Sequence, residues 1–523
     1  MATTAQLAPP ATPERTLTWW RRIGRQLAEA WSHRPVKLGL AGTVAIEIGS
    51  FTPAYLPQSS PLWEPLRNLH LDGPAVKIIG TILVMAGIWL LVNGWFQLRH
   101  HSDRPAQPWA ILTIWSLPLL FGPPIFSHDA YSYAAQGWLI HNHLNPYDVG
   151  PGAMPGSFAD QVATVWRDTP APYGPLSLQM SHALVDLSGF YATVSAELQR
   201  LPAVLGVALI VVFLPRLAQR VGADQSTVIW FACLNPLLVI DYVGGAHNDA
   251  AMMGLVVLAL WVSACPRTRL ASLSLNGYWL LGAMLIGVAA AIKQPAFLAA
   301  LALPLLAGPL PQWRRWRSAV TAIVKMLLSL LVSVAVFIVI SQACGLGYGW
   351  INAIDVPGSV TTASPTSLIG EMVQWCVDQT SAHAGIVGDR TYITWVQFIG
   401  TTLGFALIAV FAVWIGRRQP LKALSWSWLA IAFLGPALHS WYVLWGGLLV
   451  PLSPSGRSMP RIAVGVTVVL LSFSAINLAW RNDLWAIGAA AAALLVWLAV
   501  LHELGRHRAS TPETPVDAVA SPE

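Results

Sequence analysis

The chain has 523 residues, of which 55% are hydrophobic and only 10% are charged, and it carries a formal net charge of +6. Soluble domains usually carry about a quarter charged residues, so a single water-exposed globular domain is excluded. The Lys and Arg residues form short clusters between apolar segments instead of one basic face, which argues against nucleic acid as a partner. The composition indicates an integral protein surrounded by membrane lipid.

Apolar segments long enough to cross a bilayer as a helix recur along the whole chain. We therefore predict an all-α polytopic membrane protein with about 12–14 transmembrane helices. The predicted spans are 36–56, 75–97, 108–126, 198–215, 226–243, 249–265, 277–292, 295–311, 318–343, 394–415, 423–437, 441–452, 461–480 and 484–503. Pro and Gly interrupt the regions 277–311 and 423–452, and broken helices of this kind usually line a cavity.

Basic residues set the orientation of the predicted spans. With a cytoplasmic N-terminus, the basic clusters between spans all fall on the cytoplasmic side, as the positive-inside rule requires. This topology requires Pro175–Gly189 to lie along the outer surface, and the Ser, Gln, His and Asp residues of that segment favour this placement. Two long, net acidic loops, 127–197 and 344–393, then lie outside.

The first outer loop begins with Ser-His-Asp-Ala-Tyr-Ser-Tyr, which places Asp129 just beyond the outer end of a predicted span. A carboxylate at the mouth of an outward cavity can take a proton from an incoming hydroxyl group. Tyr131 and Tyr133 can stack on sugar rings. The alternative is structural: Asp129 caps a helix over Ala130–His141, and the tyrosines are interfacial belt residues.

A second polar cluster, Gly244-Gly245-Ala246-His247-Asn248-Asp249, is predicted at an outer turn between two spans. The two glycines allow the backbone to approach a ligand closely. His247 and Asn248 can bind sugar hydroxyls or phosphate, and Asp249 can orient an acceptor. The alternative is a tight turn in which Asn248 or Asp249 caps the next helix.

Two further candidates lie at the breaks in predicted helices. Lys293, flanked by apolar residues, is placed to stabilise a leaving phosphate at the headgroup level, or else only extends its ammonium group to the membrane interface. At the second break, His439 is a candidate phosphate donor and Trp441 a stacking surface, and the alternative is a Pro kink with interfacial aromatics.

Possible metal ligands occur in the first outer loop, namely His128, Asp129, His141 and His143. Their spacing matches no familiar zinc pattern, so we predict no metal site and no cofactor. The chain also has no P-loop and no GxGxxG motif after a strand, which argues against a cytoplasmic nucleotide-sugar donor.

Five motifs occur in order between Ser127 and Ala250, namely S-x-D-x-Y-S-Y-x-x-Q-G, N-P-Y-x-x-G-P, T-P-x-x-Y-G-P-L, N-P-L-L and G-G-x-H-N-D-A. On these motifs and its hydrophobic layout, the sequence resembles the polyprenol-phosphomannose-dependent α-1,6-mannosyltransferases of actinobacterial lipomannan and lipoarabinomannan synthesis. The resemblance covers most of the chain. It implies a GT-C glycosyltransferase fold with a surface-lying helix in the first catalytic outer loop.

The resemblance also implies a reaction. Mannose would pass from polyprenyl-phosphate mannose to a lipid-linked α-1,6-mannan acceptor, on the extracytoplasmic face of the plasma membrane, by a metal-independent inverting displacement that needs only one base. Asp129 would be that base, and Lys293 with His247 or His439 would hold the departing phosphate. The sugar subsites would be shaped by Tyr131, Tyr133, Tyr173 and Trp441.

The predicted domain organisation is a basic cytoplasmic segment (1–35), a transmembrane glycosyltransferase domain (36–503) and a disordered cytoplasmic tail (504–523). Two other functions stay open: a GT-C transferase of another sugar, arabinofuranose or glucose, and a transporter or flippase of lipid-linked sugars. The long acidic outer loops and the lack of a clear internal repeat argue against the transporter.

Overall fold

A computed structural model describes most of the chain, and within that part all regular secondary structure is helical. The described residues are 19–57, 59–99, 107–264, 277–353, 356–359, 362, 364–380, 390–454, 456 and 458–510. Predictions for residues 1–18 and 511–523 lie outside this part. The prediction of an all-α polytopic membrane protein is confirmed.

The N-terminal helices lead from the basic segment into the segment predicted as the first outer loop. They are α1 (Trp19–Ser32), α2 (Arg34–Ser50), α3 (Trp63–Asn68), α4 (Pro74–Leu98), α5 (Pro108–Ser116), α6 (Asp129–His141), α7 (Ser157–Asp160) and α8 (Thr164–Arg167). The central helices are α9 (Pro175–Leu187), α10 (Ala192–Leu198), α11 (Arg200–Val221), α12 (Gln225–Val228), α13 (Asp249–Ser263), α14 (Tyr278–Ile292), α15 (Phe297–Ala300) and α16 (Leu303–Leu306). The C-terminal helices are α17 (Trp316–Cys344), α18 (Pro365–Thr380), α19 (Thr391–Val410), α20 (Pro420–Leu434), α21 (Val443–Gly447), α22 (Met459–Trp480) and α23 (Asp483–Ser510).

Six helical stretches of the described chain are long and apolar enough to cross a membrane. They are α4, α10 with α11, α17, α19 with its π-helical extension to Ile415, α22 and α23. A further span is formed by Gln225–Cys233 and Leu238–Gly244 if this pair, bent by 53°, counts as one. Other predicted spans form shorter apolar helices, among them α13, α14 and α20.

Proline explains where the structure departs from the continuous spans of the prediction. The predicted span 108–126 is helical only to Ser116, and a short 3₁₀ turn, Pro118–Leu120, follows. The predicted span 295–311 is divided into short pieces that begin near Pro295 and Pro304. A proline lacks the backbone N–H that a continuing helix requires, so each of these residues starts a new turn.

The apolar helices pack closely through small residues. A Cβ atom added at Gly42 of α2 would lie 2.6 Å from the carbonyl oxygen of Gly87 in α4, and one at Gly206 of α11 would lie 2.1 Å from that of Ala250 in α13. Lipid tails are as apolar as these helices, so close van der Waals packing, rather than removal of apolar surface from water, holds such pairs together.

Residues 127–197, predicted as the first outer loop, form a helical platform against the bundle. A Cβ atom added at Gly137 of α6 would lie 2.6 Å from the carbonyl oxygen of Ser181 in α9, so these two helices are in backbone contact. The N–H of Gly174, just before α9, donates to the carbonyl of Ile292 at 3.0 Å. The platform is thereby fixed to the end of α14, one residue before Lys293.

One end of α17 lies near a basic cluster, and its other end contacts the platform. Near its start, Nε1 of Trp313 donates to the carbonyl of Arg417 at 3.2 Å, and the Arg417 guanidinium lies 5.7 Å from the centre of the Trp313 ring. At its other end, the carbonyl of Cys344 accepts a hydrogen bond from Gln179 of α9. The basic end and the platform end of α17 are therefore about 40 Å apart.

Candidate active site

A cavity of about 590 Å³ lies where the platform meets the membrane helices. Its volume is typical of sites for small molecules. One wall carries ionisable side chains, among them Asp129, Lys293 and Arg481, and another carries apolar side chains of α19 and α22, such as Phe405 and Phe473. The cavity can therefore accommodate a ligand that has both a polar and an apolar part.

Asp129 is the first residue of α6 and does not cap it. Its N–H donates to Oγ of Ser127 at 3.0 Å, so Ser127 supplies the side-chain acceptor at this helix start. The carboxylate of Asp129 faces the cavity with 21% of its side chain exposed. Around Oδ2 lie the hydroxyl of Tyr133 at 3.5 Å and Nδ1 of His247 at 3.6 Å.

The surroundings of Asp129 favour its protonated form. Burial raises the pKa of its carboxyl above the usual 3.8, although the positive charge of Lys293 and a hydrogen bond from the Ser127 side chain to the carboxyl group act in the opposite direction. A carboxylate with a raised pKa is a stronger base than an exposed one. Asp129 is therefore equipped to accept a proton from a hydroxyl group in the cavity.

Three stacked rings stand beside Asp129. His247 stacks on Trp441 with ring centres 3.6 Å apart, and Trp441 stacks on His439 at 4.5 Å. Burial and the charge of Lys293 hold the pKa of His247 well below its usual range, so its imidazole is neutral. Trp441 borders the cavity, and its Nε1 has no hydrogen-bond partner among the described residues.

A buried ion pair lies at the polar side of the cavity. Nζ of Lys293 lies 3.0 and 2.8 Å from the two carboxylate oxygens of Asp249, and Nε1 of Trp445 donates to Asp249 at 2.7 Å. Lys293 also lies 4.6 Å from the centre of the Tyr442 ring. Lys293 borders the cavity and Asp249 does not, so Asp249 contributes by holding the ammonium group in place.

The turn between α22 and α23 contributes Arg481, which our sequence reasoning missed. Its Nη2 lies 3.4 Å from Nδ1 of His128, and its backbone is left-handed, with φ 50°. Burial and the charge of Arg481 lower the pKa of His128 to about 4, so His128 can accept from Arg481 but does not neutralise it. The signal available in the sequence was an arginine between the predicted spans 461–480 and 484–503.

The model of a family described as α-(1→6)-mannopyranosyltransferase, N-terminal domain, matches residues 36–309. Among curated relatives, α-(1→6)-mannopyranosyltransferase A of Mycobacterium tuberculosis is 32% identical over 459 residues, which is 84% of each chain. The chain belongs to this mannopyranosyltransferase family. It is therefore a membrane mannosyltransferase, and the family resemblance of its sequence is confirmed.

Two other relatives of the family extend the comparison. A probable α-(1→6)-mannopyranosyltransferase of Mycolicibacterium smegmatis is 32% identical over 82% of this chain and 80% of its own length. The α-(1→6)-mannopyranosyltransferase B of Corynebacterium glutamicum is 23% identical over 84% of this chain and 75% of its own length. No solved structure matches the chain.

The structure of this mannosyltransferase divides the predicted site residues by position. Those that border the cavity are Asp129, Tyr173, Lys293, His439 and Trp441. The other predicted residues lie outside the cavity lining. Tyr133, His247 and Asp249 contact residues that border the cavity, and Asn248 contacts α9.

Among the predicted site residues, Tyr131 neither borders the cavity nor is in contact with the predicted residues that do. It packs in a separate apolar cluster with Phe158 and Val185. The four side chains considered as metal ligands are also not brought together, since His141 lies at the opposite end of α6 from Asp129, about 18 Å along the helix.

Proposed function

We propose that this mannosyltransferase transfers mannose from polyprenyl-phosphate mannose to a lipid-linked α-1,6-mannan acceptor on the extracytoplasmic face of the plasma membrane. The observation that carries the proposal is one cavity that combines the base Asp129, the cations Lys293 and Arg481, and an apolar wall. A donor made of a sugar, a phosphate and an isoprenoid chain needs these three environments side by side.

The proposed transfer is a single displacement with inversion. The 6-hydroxyl oxygen of the acceptor attacks C1 of the donor mannose, and its proton passes to the carboxylate of Asp129. The bond from C1 to the phosphate oxygen breaks, and polyprenyl phosphate departs with the electron pair. A β-linked donor then yields an α-1,6 product, and one base suffices because no covalent sugar intermediate forms.

Cations of the chain stabilise the leaving group in this proposal. Lys293 and Arg481 face the cavity as the phosphate gains negative charge, and charge-assisted hydrogen bonds to phosphate are among the strong ones. His439 is a further partner for the phosphate. Because these side chains supply the stabilisation, the proposed transfer step uses no metal ion.

The other candidates have supporting roles in this proposal. Tyr173 and Trp441 border the cavity and shape the sugar subsite. Tyr133 and His247 hold the orientation of the Asp129 carboxylate. Asn248 donates to Oγ of Ser177 at 2.9 Å and thereby positions α9 beside the site.

The isoprenoid chain of the donor is proposed to lie against α19 and α22. The cavity residues from these helices are Thr401, Gly404, Phe405, Ile408, Leu470, Phe473, Ser474, Asn477 and Leu478. Only 11% of the apolar window of α19 is buried inside the protein, so this helix contacts lipid and the donor chain can approach along it. Residues 36–503 act as one transmembrane glycosyltransferase domain in this proposal.

The extracytoplasmic assignment is supported by the distribution of charge. The basic residues Arg417 and Arg418 lie at the end of the bundle that contains the start of α17, and the platform lies at the opposite end. Under the positive-inside rule the basic end is cytoplasmic. Cysteine introduced at exposed Asp148, in a variant without native cysteines, is expected to react with an impermeant maleimide in intact cells.

The proposal is tested with membranes that contain the protein, radiolabelled polyprenyl-phosphate mannose and a short α-1,6-mannoside. The wild type is expected to elongate the mannoside, and Asp129→Asn to form no product. Asp148→Asn, an exposed substitution in the same loop, is the matched control and is expected to keep full activity. Near-normal turnover by Asp129→Asn would remove this residue from the mechanism, and product from arabinose or glucose donors instead of mannose would change the assigned sugar.

A further inference from the structure

A second group of potential ligands lies on the platform, at the far end of α6 from Asp129. Nδ1 of His141 in α6 lies 2.9 Å from Oδ1 of Asp186 in α9, and Nε2 of His182 lies 3.6 Å from Oδ2 of the same carboxylate. One ligand atom from each of the three residues lies within 4.8 Å of the others. The group joins α6 to α9 and takes no part in the mannosyl transfer proposed above.

The hydrogen bonds around His182 determine which of its ring nitrogens carries hydrogen. The carbonyl of Cys344 can only accept, so the amide NH₂ of Gln179 donates to it, at 2.8 Å. The amide oxygen of Gln179 then faces Nδ1 of His182, at 3.2 Å, and Nδ1 must be the donor. In a neutral imidazole, Nε2 therefore presents its lone pair to the carboxylate of Asp186.

A lone pair that faces a carboxylate is stabilised by a positive charge between the two, which either a metal ion or a proton on Nε2 supplies. Metal-binding histidines typically donate their other ring N–H to an oxygen acceptor, which is the arrangement of His182 with Gln179. The ring of His141 is oriented by stacking on Trp138, with ring centres 5.2 Å apart and planes at 12°. Two oriented imidazoles and one carboxylate form a ligand set that Zn²⁺ prefers.

We propose that His141, His182 and Asp186 bind a Zn²⁺-like divalent transition-metal ion, with water in the fourth position. Tetrahedral bonds of 2.0–2.2 Å separate neighbouring ligand atoms by about 3.4 Å, which small side-chain rotations achieve here. Asp186 is 49% exposed, so an ion can reach the site from solution. The ion is about 18 Å along α6 from the catalytic aspartate, and it therefore acts as a cross-link that stabilises the platform.

The test uses the full-length protein, purified in detergent without a polyhistidine tag and stripped with EDTA. Calorimetric titration with Zn²⁺ is expected to show one site, Co²⁺ to give the visible absorption of a tetrahedral complex, and Zn²⁺ to raise the unfolding temperature. His182→Asn and Asp186→Asn are each expected to weaken binding at least tenfold. His143→Asn is the matched control, because His143 is exposed, lies outside the group and has a φ of 61° that Asn tolerates.

Two results would overturn the proposal. One is the absence of stoichiometric binding in the wild type, or an equal loss of binding in His143→Asn. The other is an unfolding temperature of the wild type that does not respond to Zn²⁺ but rises on acidification, while that of His182→Asn does not rise. That result would identify the group as an imidazolium–carboxylate pair. Neither readout depends on mannosyl transfer, so failure here leaves the proposed reaction untouched.

Discussion

Nζ of Lys293 lies 2.8 Å from Oδ2 of Asp249; Lys293 directly follows α14, and Asp249 is the first residue of α13. Asp249 is fully buried, and Nε1 of Trp445 is its other partner. The pair therefore does two things: it neutralises a carboxylate inside the bundle and it holds an ammonium group at the cavity wall. These two contributions can be separated by mutation.

Lys293→Met is expected to destabilise the protein because it leaves the buried carboxylate of Asp249 without a counter-ion. Breaking a buried pair in this way costs about 3–5 kcal/mol. The double variant Lys293→Met/Asp249→Asn is expected to recover most of the unfolding temperature but not the transfer rate, since the leaving phosphate still lacks its cation. A double variant with normal turnover would limit Lys293 to a structural role.

The pH profile of transfer reports on Asp129. Only the carboxylate can act as a base, and its pKa is raised, so kcat/KM is expected to fall on acidification at a higher pH than an ordinary aspartate would give. Ser127→Ala removes a hydrogen bond that favours the carboxylate and is expected to move this acidic limb to still higher pH. Ser132→Ala, which also borders the cavity, is the control and leaves the limb in place.

Asp129→Asn is expected to unfold at the same temperature as the wild type or at a higher one, at neutral pH. The folded wild type binds a proton at this carboxyl more tightly than the unfolded chain does, so it loses stability as the pH rises through the raised pKa. Asparagine does not titrate and avoids that loss. Thermal unfolding in detergent measures the difference, and a marked decrease would assign Asp129 a structural role.

Arg481→Asn is expected to raise the KM for the lipid-phosphate donor by roughly 10- to 100-fold, the loss that follows removal of a charged hydrogen bond. The fold is expected to be unaffected, because Asn tolerates the left-handed φ of 50° at this position. Lys77→Gln is the control: its ammonium lies 4.5 Å from the centre of the Trp480 ring, close to the same turn, but outside the cavity lining. An equal effect in the control would indicate general surface charge.

Gly137→Ala is expected to reduce kcat, since its Cβ atom would meet the backbone of Ser181 and displace the helix that begins at Asp129. Overpacking of this kind costs about 1–3 kcal/mol. Gly488→Ala, at an exposed position in the second turn of α23, is the matched control and is expected to keep both activity and stability. Undiminished kcat in Gly137→Ala would mean that Asp129 tolerates movement of α6.

The sequence was sufficient to locate the apolar segments and several of the polar residues that border the cavity, among them Asp129, Lys293 and His439. A helix in lipid needs a long apolar run, and Gly or Pro residues at its breaks are visible in the sequence, as at Lys293 and His439. The continuity of a span was less predictable. The predicted span 226–243 is instead two segments bent by 53° on either side of Pro236.

The direction of individual side chains required the tertiary structure. Tyr131 and Tyr133 are only two residues apart in the sequence, yet only Tyr133 contacts Asp129, because residues two apart on a helix point to different sides. Arg481 meets His128 across 353 positions of the chain, and no local pattern relates the two residues.

The cavity draws on distant parts of the polypeptide. The region matched by the family model, 36–309, contains Asp129 and Lys293, while Trp441 and Arg481 come from the remainder. Neither portion alone encloses the cavity. A chimera of two relatives joined near residue 309 would inherit its proton acceptor from one parent and its guanidinium from the other, so catalytic rate and donor affinity could be exchanged independently.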